Sequence, residues 1–158
     1  MVLSPIPSFF MVEQSSKGPY FLHYPSIDLV FVPLLGASNG YVRTGGGIFE
    51  PMAGGRDPII GEKVCHFGIT TGRTCTKILA VNQVVTYDGV ICRLLAATTD
   101  VVTEPGDSGG PWFTDTPLKN ALGVHTGTLY VAGVLRSGFT IFSASNSLDI
   151  DFIFAGIQ

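Results

Sequence analysis

The segment Gly106-Asp107-Ser108-Gly109-Gly110-Pro111 holds the residues best suited to chemistry. A serine hydroxyl is a poor nucleophile at its free pKa, so it needs a base to take its proton and donors to hold the anion it creates. The flanking residues meet the second need. Glycines permit the backbone twist that aims the N–H groups of Gly106 and Ser108 into one oxyanion pocket, and one donor of such a pocket is worth roughly 10²–10³ in rate. Gly109 and Gly110 let an extended chain approach closely. The chemistry implied is acyl transfer, with Ser108 as nucleophile. The bland alternative is a glycine-rich turn between strands, but the six-residue string is far more specific than Gly-x-Ser-x-Gly alone.

That shorter pattern also marks the strand-turn-helix elbow of α/β-hydrolases. Here Ser108 is followed by Gly-Gly-Pro-Trp-Phe, which forms no helix. Only Asp115 separates it from His125, too cramped an arrangement for the acid and histidine of that fold.

The elements around this turn read as short strands. The chain has 158 residues, enough for one domain with a real core. Hydrophobic residues make up 46% and charged residues 13%, against roughly 25% charged in an average soluble domain. Twenty glycines and ten prolines punctuate runs rich in Val, Ile, Phe and Thr. Strands are expected within 21–35, at 62–67, 74–85, 90–97, 110–114, 121–126, 130–136 and 140–144. Turns are expected at Pro25–Ser26, Gly54–Pro58 and Asp88–Gly89. Residues 1–19 read as an irregular lead-in, and 147–154 as a short terminal helix capped by Asn146 or Ser147. Strands at this spacing indicate an all-β barrel or sandwich.

Composition also excludes classes. The net charge of −3 comes with no cluster of Lys and Arg, so no nucleic-acid partner is expected. Leu29–Val42 is broken by Pro33, Gly36, Asn39 and Gly40, so no membrane span is expected. Met1–Phe10 lacks a basic start and carries Pro5 and Pro7, unlike a signal peptide. The three cysteines, Cys65, Cys75 and Cys92, contain no C-x2-C pair, so neither a metal nor another cofactor is implied.

Gly106–Pro111 resembles the active-site signature of chymotrypsin-like serine proteases. The segment Cys65-His66-Phe67-Gly68-Ile69-Thr70-Thr71-Gly72-Arg73-Thr74-Cys75 resembles the disulfide loop of their bacterial streptogrisin and α-lytic protease branch. The resemblance covers roughly residues 20–155. It implies a trypsin-like double Greek-key β-barrel in one domain over 20–158. A partial first barrel would span about 20–50, and the second about 51–158. It implies serine endopeptidase activity on a polypeptide substrate, a Cys65–Cys75 disulfide and an extracellular, secreted protein. The branch's further disulfide falls at about Val102 and Leu135, both apolar, so packing is expected in its place. Cys92 has no counterpart and reads as a buried free thiol.

Asp28, in Ile27-Asp28-Leu29-Val30-Phe31-Val32, resembles the family's orienting acid. The family's histidine string is absent. His23 lies five residues before Asp28, more than about 15 Å away along a strand unless the chain folds back at Pro25. His66 is expected to be exposed in the disulfide loop. The chain therefore reads as a truncated protease, as an inactive homologue serving as a secreted binding module, or as a gene fragment. Ala121–Gly127 is expected to line the specificity pocket with His125, Thr126 and Gly127. A histidine at 125 resembles that of glutamate-specific members, since an imidazole can donate to a substrate carboxylate.

Overall fold

The computed structural model describes residues 9–12, 22–24, 29–33, 41–87 and 89–147. Every extended element in it is a strand. Strands β1 (Phe9–Val12), β2 (Leu22–Tyr24) and β3 (Leu29–Pro33) form a three-stranded sheet in the order β1-β3-β2. β1 falls inside the segment expected to be irregular. β2 and β3 pair antiparallel, with His23 opposite Val30 and Tyr24 opposite Leu29. The chain thus folds back between them, and the separation of His23 from residue 28 along one continuous strand does not apply. Asp28 itself, the Pro25–Ser26 turn and the terminal helix beyond Ser147 lie outside the described residues.

The second unit comprises β4 (Tyr41–Gly45), β5 (Ile48–Gly55), β6 (Lys63–Gly68), β7 (Gly72–Tyr87), β8 (Val90–Thr98), β9 (Pro111–Thr114), β10 (Lys119–Val131) and β11 (Val134–Ile141). Pairings run from β10 through β11, β8, β7, β6 and β9 and return to β10, giving a six-stranded ring. Register shifts interrupt the β7–β8, β9–β10 and β10–β11 seams. β5 adds to the outside of β10 in parallel, and β4 pairs with β5. A 3-10 turn at Phe142–Ser147 follows β11.

Side-chain alternation along the strands explains the two clusters that hold this ring. Successive residues of a strand point to opposite faces. Val64, Trp112, Leu122, Phe139 and Ile141 pack together with Ile78 and Ala96 on one face. Their sequence neighbours Cys65, Phe113 and Ala121 pack on the other with Phe67 and Met52, the latter from β5. β6 is therefore buried on both faces, with only Lys63 exposed. Trp112 stacks on Phe139 at 4.7 Å between ring centroids, the offset contact that adds to the area such rings bury. Cys65 and Cys75 sit directly opposite each other on β6 and β7 and form the expected disulfide.

Three expectations need correction. The strands expected at 121–126 and 130–136 are parts of one long hairpin whose turn is Ala132–Gly133. Both turn residues have positive φ, the conformation that a two-residue hairpin loop demands. Gly54 and Gly55 end β5, opposite Asn120 and Ala121, so the expected turn begins after them. Val102 packs against the core, but Leu135 pairs with Tyr130 near the hairpin tip and is 39% exposed, so packing stands in at one position only. Cys92 is buried and forms no disulfide.

Candidate active site

Three strands and one loop fix the turn that carries Ser108. The approach segment is pinned first. Ser137 on β11 accepts the amide of Val102 at 3.0 Å and bonds the Thr103 hydroxyl at 2.7 Å. Thr74 on β7 donates to the Val102 carbonyl at 3.1 Å. After the turn, the Gly109 amide donates to the His125 carbonyl at 3.0 Å, and the His125 amide donates to the Gly110 carbonyl at 2.9 Å. The nucleophile turn is thereby tied to β10 at the residues expected to bind substrate.

Asp107 clamps the turn from below. Its Oδ1 accepts the amides of Thr70 at 2.9 Å and Thr71 at 3.1 Å. Its Oδ2 accepts the Thr71 hydroxyl and the Glu104 amide, both at 2.8 Å. Burial opposes the charge on this carboxylate. The bonds from Glu104, Thr71 and Thr70 together outweigh that burial and hold its pKa below the usual value. The Thr70–Thr71 tip of the disulfide loop is thus locked under the nucleophile. Gly68 makes this possible: a Cβ there would lie 2.1 Å from Asp107 Oδ1 and 2.7 Å from His66 Nε2.

The amides divide into two sets. Those of Asp107, Gly109 and Gly110 donate to the carbonyls of Glu104, His125 and Asp107. Those of Gly106 and Ser108 meet no acceptor among the described residues. Gly106 has φ +101°, a conformation that only glycine adopts without strain. Ser108 is exposed, and its Oγ donates to the Thr126 carbonyl at 3.3 Å. The β10–β11 register slips between His125 and Gly127, leaving Thr126 as the extra residue of a bulge. Bulges beside active sites re-aim backbone groups in this way.

His125 is buried and accepts the Trp112 indole N–H on Nδ1 at 3.2 Å, which leaves its own ring proton on Nε2. Burial, with a smaller push from His66 against a pull from Asp107, takes its pKa down to about 3. His66 is wholly buried, contrary to expectation. It shares the parity of Val64 on β6 and so points into the ring, 5.0 Å from Trp112 and 5.5 Å from His125 between centroids. That parity could have placed it from sequence. Burial, partly offset by Asp107, takes its pKa down to about 4. The donor atoms of Cys65, Cys75 and Asp115 also lie within 4.8 Å of one another, but the two sulfurs are joined to each other and offer no thiolate to a metal.

No protein-family model matches the chain. Among solved structures, a chymotrypsin of Cellulomonas bogoriensis superposes with a TM-score of 0.63 at 30% identity, covering 84% of this chain and 72% of that one. The chain belongs to the bacterial chymotrypsin-like serine protease family, in the branch of the streptogrisins and α-lytic protease. It is 39% identical over 142 residues to streptogrisin-C of Streptomyces griseus, spanning 83% of this chain and 28% of that protein. It is 32% identical over 106 residues to serine protease 2 of Streptomyces fradiae, spanning 66% of this chain and 56% of that protein. No helix among the described residues is long and apolar enough to cross a membrane.

Proposed function

We propose that the chain acts as a serine endopeptidase through Ser108. One observation carries this reading. An exposed hydroxyl stands beside the Gly106 and Ser108 amides, which no described acceptor takes, while their neighbours are all engaged. In the reaction, Oγ bonds to the carbonyl carbon of a polypeptide as a base removes its proton. The oxyanion rests on the two amides. The base then returns the proton to the departing amine as the C–N bond breaks, and water hydrolyses the ester. Asp28 orients the base. His66 is wholly buried and His125 Nδ1 is taken by the Trp112 indole, so neither is assigned as the base, and no histidine of this chain is placed in that role. The Cys65–Cys75 bond supports an extracellular location.

His125, Thr126 and Gly127 line the site for the side chain before the cut. The His125 Nε2 proton suits an acidic side chain there. A panel of peptides differing only at that residue tests both levels. Cleavage after Glu, abolished by Ser108→Ala, is expected. Cleavage after Arg or Phe in preference to Glu would remove the acidic specificity, and turnover surviving Ser108→Ala would remove the nucleophile.

A second reading has its own support. With two of three histidines buried, the chain fits a non-catalytic homologue that binds polypeptide in the same groove. Phosphonylation of Ser108 separates the two, since a site without a base reacts barely at all.

A further inference from the structure

Beneath the nucleophile turn lies a buried ionisable pair that the proposed reaction does not use. His66 and Asp107 are both wholly buried, with Nε2 and Oδ2 3.9 Å apart. That is too far for a hydrogen bond, and Nε2 has no partner among the described residues. The ring proton can be placed by counting donors. His66 Nδ1 lies 2.8 Å from Thr74 Oγ1. The same hydroxyl donates to the Val102 carbonyl at 3.1 Å. A hydroxyl has one proton to give, so both contacts are satisfied only when Nδ1–H donates to Thr74. In neutral His66, Nε2 is then a bare lone pair facing a carboxylate oxygen.

The carboxylate is also full. Two oxygens offer about four lone-pair sites, and Thr70, Thr71 and Glu104 fill them with four donors. A fifth donor can enter only by displacing one. The two on Oδ2, the oxygen nearest His66, are the Thr71 hydroxyl and the Glu104 amide. The Glu104 bond closes the turn that ends at Ser108.

We propose that His66 is a positioning residue for the nucleophile turn and an acid-sensitive one. Neutral, it leaves Asp107 to hold the turn closed. Protonated at Nε2, it takes a share of Oδ2 and loosens the Glu104 and Thr71 bonds. The titratable groups facing it are Asp107 from the turn and His125 from β10; Thr74 from β7 and Trp112 from β9 carry no titrating charge. Burial holds both rings neutral, and the carboxylate of Asp107, 3.9 Å from His66 Nε2, favours the charged form of His66. The proposal deepens the protease reading, since it concerns the same turn, but its test reads protonation rather than turnover.

The test is ring-nitrogen and amide NMR on the intact, disulfide-bonded chain, taken from about pH 8 to about pH 3 across the range where histidine charges. At neutral pH the His66 ring is expected to carry its proton on Nδ1. On acidification Nε2 gains a proton, and the Glu104 and Thr71 amides shift with the same midpoint. In His66→Gln that midpoint vanishes from both amides. Three results on the unsubstituted chain would each overturn the proposal: a proton on Nε2 at neutral pH, a His66 ring neutral until the chain unfolds, or amides that stay flat through the His66 midpoint. None needs the variant to fold or the enzyme to be active.

Discussion

Asp107→Asn is the substitution that probes the nucleophile turn most sharply. The carboxylate accepts four donors through two oxygens. An asparagine amide keeps one acceptor oxygen and puts an NH2 group where the other stood. With the NH2 at the Oδ1 position the Thr70 and Thr71 amides both face a donor; with it at the Oδ2 position the Thr71 hydroxyl can turn to accept, and the Glu104 amide alone faces a donor. A hydrogen bond to a charged group contributes about 1.5–3 kcal/mol, so the one or two lost bonds cost about 1.5–6 kcal/mol. That is a large share of the roughly 5–15 kcal/mol that keeps a domain folded. Urea unfolding at neutral pH, followed by tryptophan fluorescence, reports the loss; Trp112, the chain's single tryptophan, lies in the same core. Asp57→Asn is the matched control. Its carboxylate takes one exposed bond, from the Ser143 amide, and its loss should cost about 1 kcal/mol or less. If Asp107→Asn fell within about 1 kcal/mol of the parent, the claim that this carboxylate holds the turn together would be wrong.

Stability should fall with acid. His66 and His125 are neutral in the fold, with pKa values pushed below the ordinary 6.5, so the unfolded chain binds more protons in that window. Their neutrality is fully compatible with folding above 6.5 and increasingly opposed as pH drops toward 4. For His66, the change from 6.5 to about 4 at about 1.36 kcal/mol per pH unit comes to about 3 kcal/mol. Melting curves at constant ionic strength should show that loss halved or better in His66→Gln; an unchanged slope would contradict it. Replacing Cys65 and Cys75 together by alanine opens a loop of sequence separation 10 and should cost about 2–4 kcal/mol of unfolding free energy in urea. Equal stability with and without the bond would contradict that assignment.

Much of this arrangement was legible in the residues. Ser108 needed only its own string: the glycines around it announce a turn, and the turn is where the exposed hydroxyl stands. Cys65 and Cys75 are brought opposite by the β6–β7 pairing, and the resemblance to the bacterial branch named the bond. For His66, membership of the disulfide loop suggests exposure while strand parity dictates burial, and parity prevails. Val64 is a core residue, and two positions on along a strand the side chain returns to the same face. The clamp on Asp107 was invisible for a different reason. Three of its four donors, from Thr70 and Thr71, lie thirty-six or thirty-seven residues away, and no local pattern encodes a tertiary contact of that range. The Ala132–Gly133 turn escaped because alanine rarely takes positive φ, so its side chain carries no turn signal.

The account stands on the reactivity of one hydroxyl. Intact-mass spectrometry after treatment with a fluorophosphonate, followed by peptide mapping, measures it directly. A single phosphonyl adduct on Ser108, lost in Ser108→Ala and sharply slowed in Gly106→Ala, is the result predicted. An unmodified Ser108 in the folded, disulfide-bonded chain, or an adduct that forms equally well without Gly106, would contradict it.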